Sequence, residues 1–336
     1  VSRNVVSAVI NNRSQKLYIS EKTKQKIEDY LEKSGYVKSK HAMRLLDTQA
    51  SDSLNILTCG PFALYPHLVR ALHVMSETIK KKYCHVDIIS IDANNIQHGL
   101  REIVSQGTTR MIWMHATAPE YEMANAKKLM PLLKRMERVV VYNYDFNRDE
   151  WEQEYLNNGI HLVGVDRAAC YRNVAEIFAM SGHRKVAFDE IFSDHPVHKG
   201  PNIEKLIAPF IHSEFEVFGL RDFDDPDSTE KMAVRLFELH KKCGVDCAFI
   251  RNDPRAGEIM ARLQAFGLKV PDDIAIIGFG NHPLSNWLKP SLSTFDFPVA
   301  EMCEKTMYLL SAENIDGAEC SYFDNKLILR DSHNPK

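Results

Sequence analysis

The sequence predicts an α/β protein made of two Rossmann-like lobes, preceded by a small all-α unit. Three observations carry this expectation. From residue 54 onward, short apolar runs alternate with longer amphipathic stretches, the pattern of parallel sheets with helices on both faces. Nine strand-like runs occur, more than one sheet of ordinary size holds. The charge is also unevenly divided. The 336-residue chain is at −3 overall, yet residues 1–50 hold ten basic and five acidic side chains, leaving that segment at +5 and the remainder at −8.

The elements follow in order. Ser2 is placed to cap a helix over 3–11, in which Val5, Val6, Val9 and Ile10 form an apolar stripe and Arg3, Asn4, Ser7, Ala8 and Asn11 lie on the other face. Ser20 caps a second helix running to about Lys33, with Ile27 and Leu31 facing inward and Gly35 as the stop. Residues 39–46 suit one further short helix, and 47–53 read as a linker. Strands are expected at 55–59, 86–91, 110–115, 139–142, 161–165, 185–188, 216–219, 247–250 and 274–279. Helices are expected at 67–82, 96–105, 121–136, 168–181, 228–243 and 255–266. The organisation is therefore a headpiece over 1–38, a hinge helix and linker over 39–53, and a two-lobed core over 54–336. Ligands of such cores sit at the carboxyl ends of the strands, between the lobes.

Composition narrows the function classes. No apolar run approaches the roughly 18 residues of a membrane span, and the polar N-terminus reads as a helix rather than a secretory leader. The seven cysteines are scattered and read as reduced thiols of a cytoplasmic protein. The fourteen histidines show no ligand spacing, and His183 reads as a turn residue, so no metal or cofactor is expected. No nucleophile elbow, phosphate loop or zinc-protease pair is present, which argues against an enzyme. The basic headpiece on an acidic body points to a polyanion partner.

Three stretches narrow the reading further. Val1 to Asn11 is followed by Ile19-Ser20-Glu21-Lys22-Thr23, Ile27 and Gly35-Tyr36. Gly182-His183-Arg184-Lys185-Val186-Ala187 lies mid-chain. Asn252 to Ala256 leads into Gly267-Leu268, Val270 to Ile274, Ile277-Gly278-Phe279, Pro290-Ser291-Leu292 and Thr294. In this order they resemble the lactose-repressor (LacI/GalR) family of transcriptional regulators, over nearly the whole chain. The resemblance implies a helix-turn-helix headpiece and two periplasmic-binding-protein-type lobes. It also implies that the headpiece's first helix precedes Val1 and is missing from this chain.

The resemblance also implies site residues. Arg3 and Asn4 would meet base edges, Ser7 and Asn11 would touch phosphates or flank the bases, and Ala8 would meet a thymine methyl. Lys40, His41, Ala42, Arg44 and Leu45 would belong to a hinge helix whose paired leucines wedge a base step. Lys38-Ser39 stands where the family carries Pro-Asn. Asn252 matches a ligand-binding position, Lys199 replaces the family's ligand-gripping arginine, and Gly280 replaces an aspartate that holds sugar hydroxyls. Phe62, Tyr65, Trp113, Asn143, Asn281 and Trp287 are pocket candidates, although plain packing is the commoner role for any one such residue. The loss of that carboxylate beside a retained cation implies an acidic or phosphorylated sugar. Asp166 or Asp253 swinging in to restore the balance, or a core that binds nothing, remain the alternatives.

The expectation is therefore a homodimeric, DNA-binding regulator acting on a near-palindromic operator. A small-molecule effector between the lobes would control it, and helices 67–82 and 95–105 would form the dimer contact by family analogy. The rival is a sugar-binding protein without DNA function.

Overall fold

In the computed structural model the described residues are 2–10, 18–34, 53–59, 65–83, 85–91, 95–105, 109–114, 129–145, 149–189, 216–220, 229–312 and 315–333. The chain divides into two units, Val1–Ser51 and Asp52–Lys336.

The first unit contains α1 (Arg3–Ile10) and α2 (Glu21–Ser34). Both expected caps form. Ser2 Oγ accepts the Val5 N–H at 3.4 Å, and Ser20 Oγ accepts the Thr23 N–H at 3.3 Å, each satisfying a helix-start donor that has no partner within the helix. The buried side chains are Ala8, Val9 and Ile27. Ala8 was expected on the base-reading face, and its burial corrects that placement. It sits three residues after Val5 and so joins the apolar stripe, because positions i and i+3 share a helix face. The stop at Gly35 and the short helix over 39–46 lie outside the described residues.

The second unit is built on two six-stranded sheets. The first holds β1 (Ser53–Cys59), β2 (His85–Ile91), β3 (Arg110–Met114), β4 (Arg138–Asp145), β5 (Ile160–Val165) and β11 (Cys320–Phe323), in the order β11-β5-β4-β3-β1-β2 with every pairing parallel. The second holds β6 (Lys185–Phe188), β7 (Glu216–Gly219), β8 (Cys247–Phe249), β9 (Ala275–Phe279), β10 (Ser293–Asp296) and β12 (Lys326–Ile328), in the order β12-β10-β9-β8-β6-β7. There only β12 runs antiparallel. The helices are α3 (Pro66–Lys82), α4 (Ile96–Ser105), α5 (Asp149–Asn157), α6 (Arg167–Met180), α7 (Thr229–Cys243), α8 (Asp253–Ala265) and α9 (Val299–Ser311). Residues 129–133 are also helical, and the expected helix over 121–136 is described only from 129. The strands β5 and β9 are buried at every position, as parallel strands covered on both faces must be.

The chain crosses between the sheets three times: from β5 into α6, from β10 into α9, and from β11 to β12. One apolar cluster runs through these crossings. It joins Val163 and Val165 of the first sheet to Val186, Phe188 and Phe249 of the second by way of Tyr171, Val174 and Phe178 on α6. Two further clusters cover the outer faces, one around Trp113 and Leu100 and the other around Ile259 and Leu263. Polar contacts tie the crossings. Arg70 on α3 pairs with Asp296 at 2.9 Å, His67 stacks on Phe297 with ring centroids 3.8 Å apart, and Asn325 Nδ2 donates to the Asp296 carbonyl at 3.1 Å. Among the described residues no helix is long and apolar enough to cross a membrane.

Candidate functional site

The carboxyl ends of β6, β8 and β9 converge with the first turns of α6. There Cys170, Tyr171, Phe249, Arg251 and Phe279 line a pocket. Its wall is aromatic. Phe249 meets Tyr171, Phe279 and Phe295 edge-on, with centroids 5.6, 6.3 and 6.1 Å away, the favoured arrangement for ring pairs.

A polar group borders this wall. Asp189 follows β6 directly and is 2% exposed. Its Oδ2 accepts the Arg251 N–H at 3.1 Å and Arg255 Nη1 at 3.4 Å. Its Oδ1 is buried without a hydrogen-bond partner. A buried carboxylate oxygen is a strong acceptor, and leaving it unpaired costs about 1–3 kcal/mol. The group therefore offers one acceptor beside the guanidinium of Arg255.

The expected pocket residues divide. Asn252 caps α8, its side chain accepting the Arg255 N–H at 3.4 Å. Asn281 follows β9 and Gly280 at φ +45°, and its Oδ1 accepts Arg330 Nη2 at 2.9 Å. Tyr65 precedes α3, half-buried, with its ring edge toward His67 at 6.0 Å. Asn143 lies half-buried in β4 at φ +64°, where the pairing with β5 shifts register. Trp113 is wholly buried within the outer cluster of the first sheet, so it is a core residue and not a pocket wall. Its register explains this: it pairs with Leu57 and Val141, which share that cluster. Trp287, at the end of the 3-10 turn Pro283–Asn286, is 80% exposed. Phe62 and Lys199 lie outside the described residues, as do Asn11, Lys40, His41, Ala42, Arg44 and Leu45.

Both carboxylates considered as substitutes for the missing aspartate are held in place. Asp166 caps α6, accepting the Ala169 N–H at 2.8 Å. Asp253 is 1% exposed and accepts from the His282 N–H, Ser285 Oγ and Thr294 Oγ1 at 2.7, 2.8 and 2.7 Å. Neither swings into a pocket without breaking these bonds. Sequence reasoning missed Asp189, Arg251, Arg255 and Tyr171. The first two stand immediately after apolar strand runs, where the strand-end rule for ligand sites points.

On the first unit, Arg3 and Asn4 occupy the first turn of α1, and Ser7 is exposed on it.

Comparison with known proteins adds three findings. Residues 175–332 match the family described as a periplasmic binding protein-like domain. Along 99% of its length the chain is 24% identical to the NTD biosynthesis operon regulator NtdR of Bacillus subtilis (strain 168), covering 96% of that protein, and 26% identical to the probable HTH-type transcriptional repressor ExuR of the same organism, covering 95% of it. Among solved structures, the lac repressor dimer bound to operator and the anti-inducer ONPF superposes with a TM-score of 0.71. That match covers 99% of this chain and 95% of that one at 16% identity, a likeness of fold.

Proposed function

We propose that the chain is a transcriptional regulator of the LacI/GalR type: a sequence-specific, homodimeric DNA-binding protein controlled by a small molecule between its lobes. The observation that carries the reading is the joining, in one chain, of a capped, basic helical headpiece to a two-sheet core linked by three crossings. Such crossings let a ligand bound at strand ends bias how the lobes sit, and so whether two headpieces match two half-sites. The reading is of a cytoplasmic regulator and not an enzyme. It is favoured over a sugar-binding protein without DNA function because residues 1–50 carry +5 on an otherwise acidic chain.

Arg3 and Asn4 contact bases in this reading, with Ser7 and Asn11 beside them. Lys40 and Arg44 contact phosphates, and Leu45 wedges the minor groove. Arg3→Ala is expected to relax preference at one position of each half-site, costing about 1–3 kcal/mol of discrimination. Lys40→Ala is expected to weaken all sequences alike and to flatten the salt dependence. Anisotropy titrations against operator variants at several salt concentrations check both. The same uniform loss in both variants would refute the assignment.

The effector is an acidic or phosphorylated sugar in this reading. Asp189 Oδ1 supplies an acceptor for a hydroxyl, Arg251 and Arg255 favour an anionic group, and charge-assisted hydrogen bonds are the stronger kind. Asp166 and Asp253 are already committed elsewhere. Calorimetry with glucose against glucuronate and glucose 6-phosphate is expected to show tighter binding of an acidic member. Preference for glucose would end this assignment while leaving the DNA reading intact.

A further inference from the structure

At the opposite end of the second sheet from the pocket, the amino ends of β6 and β8 bring three metal-ligating side chains together. His183 follows the turn at Gly182 and precedes β6, while Asp246 precedes β8 and Cys247 opens it. One ligand atom from each of the three lies within 4.8 Å of the other two. His183 is 1% exposed and Cys247 wholly buried. The His183 Nδ1 approaches Asp246 Oδ1 to 3.1 Å, yet neither ring nitrogen of His183 makes a hydrogen bond. A buried imidazole without hydrogen bonds, facing a thiol and a carboxylate, is what a metal site looks like before the ion enters.

We propose that His183, Asp246 and Cys247 bind a zinc ion that clasps β6 to β8 at the base of the second lobe. The donor set selects the metal. Thiolate with imidazole suits zinc and disfavours magnesium or calcium, which take oxygen ligands. Zinc bonds of about 2.0–2.3 Å in a tetrahedron separate the donor atoms by about 3.3–3.8 Å. Closing from 4.8 Å therefore takes small side-chain rotations rather than a backbone shift. On binding, the Cys247 thiol releases its proton to solvent as the zinc–sulfur bond forms. Water takes the fourth position. His333, hydrogen-bonded through Nε2 to Ser181 Oγ, has its ring centroid 6.4 Å from that of His183. His183 lies just before β6 and the Asp246–Cys247 pair at the start of β8, so the ion adds a cross-strand link where β6 and β8 share only three register pairs.

The test uses the full chain, treated with a chelator and then titrated with zinc and with cobalt(II). One equivalent of tightly held zinc is expected, and cobalt is expected to give the near-ultraviolet absorption of a thiolate–cobalt bond. Losing an outer-shell partner of a metal site commonly costs about 10–100-fold in affinity, so losing a ligand through Cys247→Ala is expected to cost at least about 100-fold and to abolish the thiolate band. Asp246→Asn is expected to weaken zinc while keeping the band, and it serves if Cys247→Ala does not fold. Cys243→Ser is expected to bind as the unaltered protein does. No zinc retention, a cobalt complex without the thiolate band, or unchanged affinity in folded Cys247→Ala would each overturn the site.

Discussion

Asp253→Ala is expected to destabilise the second unit by about 3–5 kcal/mol, because leaving a buried donor unsatisfied costs about 1–3 kcal/mol and three donors lose their acceptor together. The carboxylate sits in the first turn of α8 and ties that helix to the turn after β9, through His282 and Ser285, and to β10 through Thr294. Gly278 belongs to the same knot: a Cβ there would meet Asp253 Oδ1 at 2.2 Å and Leu292 Cδ2 at 2.9 Å. Gly278→Ala is therefore expected to be damaging as well, and the double variant to lose less than the two single losses added, since both break one network. Burial raises the Asp253 carboxyl above its ordinary value, while its hydrogen bonds and Arg330 pull it back. A raised folded value makes this group's contribution largest below the unfolded pKa and smaller as pH rises through the folded one. The loss in Asp253→Ala is thus a matter of unpaired donors and not of acid sensitivity. Urea unfolding with unchanged m-value checks the figure, and a loss below about 1 kcal/mol would show that the donors find other acceptors.

How far the sequence was legible depended on the length of each signal. The strands at 185–188 and 216–219 were read to their ends because each is an apolar run bounded by polar turns. The strands β10, β11 and β12 were missed. β10 and β11 interleave polar with apolar side chains and so show no apolar run, and β12 opens on a lysine and holds three residues. The helices α5 and α9 were missed too, although α9 buries Val299, Met302, Cys303, Thr306, Leu309 and Leu310, a helical spacing that could have been counted. Side-chain direction was less legible still. Trp113 lies near the end of an apolar strand and looked like a pocket wall, but in a parallel strand buried on both faces the register decides where a ring points. Ala8 was assigned outward by family position, and the i, i+3 relation to Val5 turns it inward. His183 read as a turn residue because its partners Asp246 and Cys247 are distant in sequence. Only the pairing of β6 with β8 brings them together.

The acid sensitivity of the core is expected to run through His161. This side chain of β5 is 1% exposed, and its Nδ1 accepts the Glu319 N–H at 3.0 Å. Protonation at Nδ1 breaks that bond, and the charge it creates has little solvent. Burial lowers the pKa from 6.5 to about 4. The cations Arg138 and Lys305 push the same way, and Glu319 opposes them. A histidine with a depressed folded value binds fewer protons in the native state than in the unfolded chain. The stability it contributes is therefore complete above about 6.5 and lost as pH falls toward 4, amounting to about 3 kcal/mol at 1.36 kcal/mol per unit. His161→Gln keeps an acceptor within reach of the Glu319 N–H and removes the titration. Urea unfolding at pH 7, 5.5 and 4.5 is expected to show the unaltered chain losing more stability over this window than His161→Gln, by about 2–3 kcal/mol. Parallel losses in the two proteins would mean that His161 gains a proton in the folded state as readily as it does in the unfolded chain.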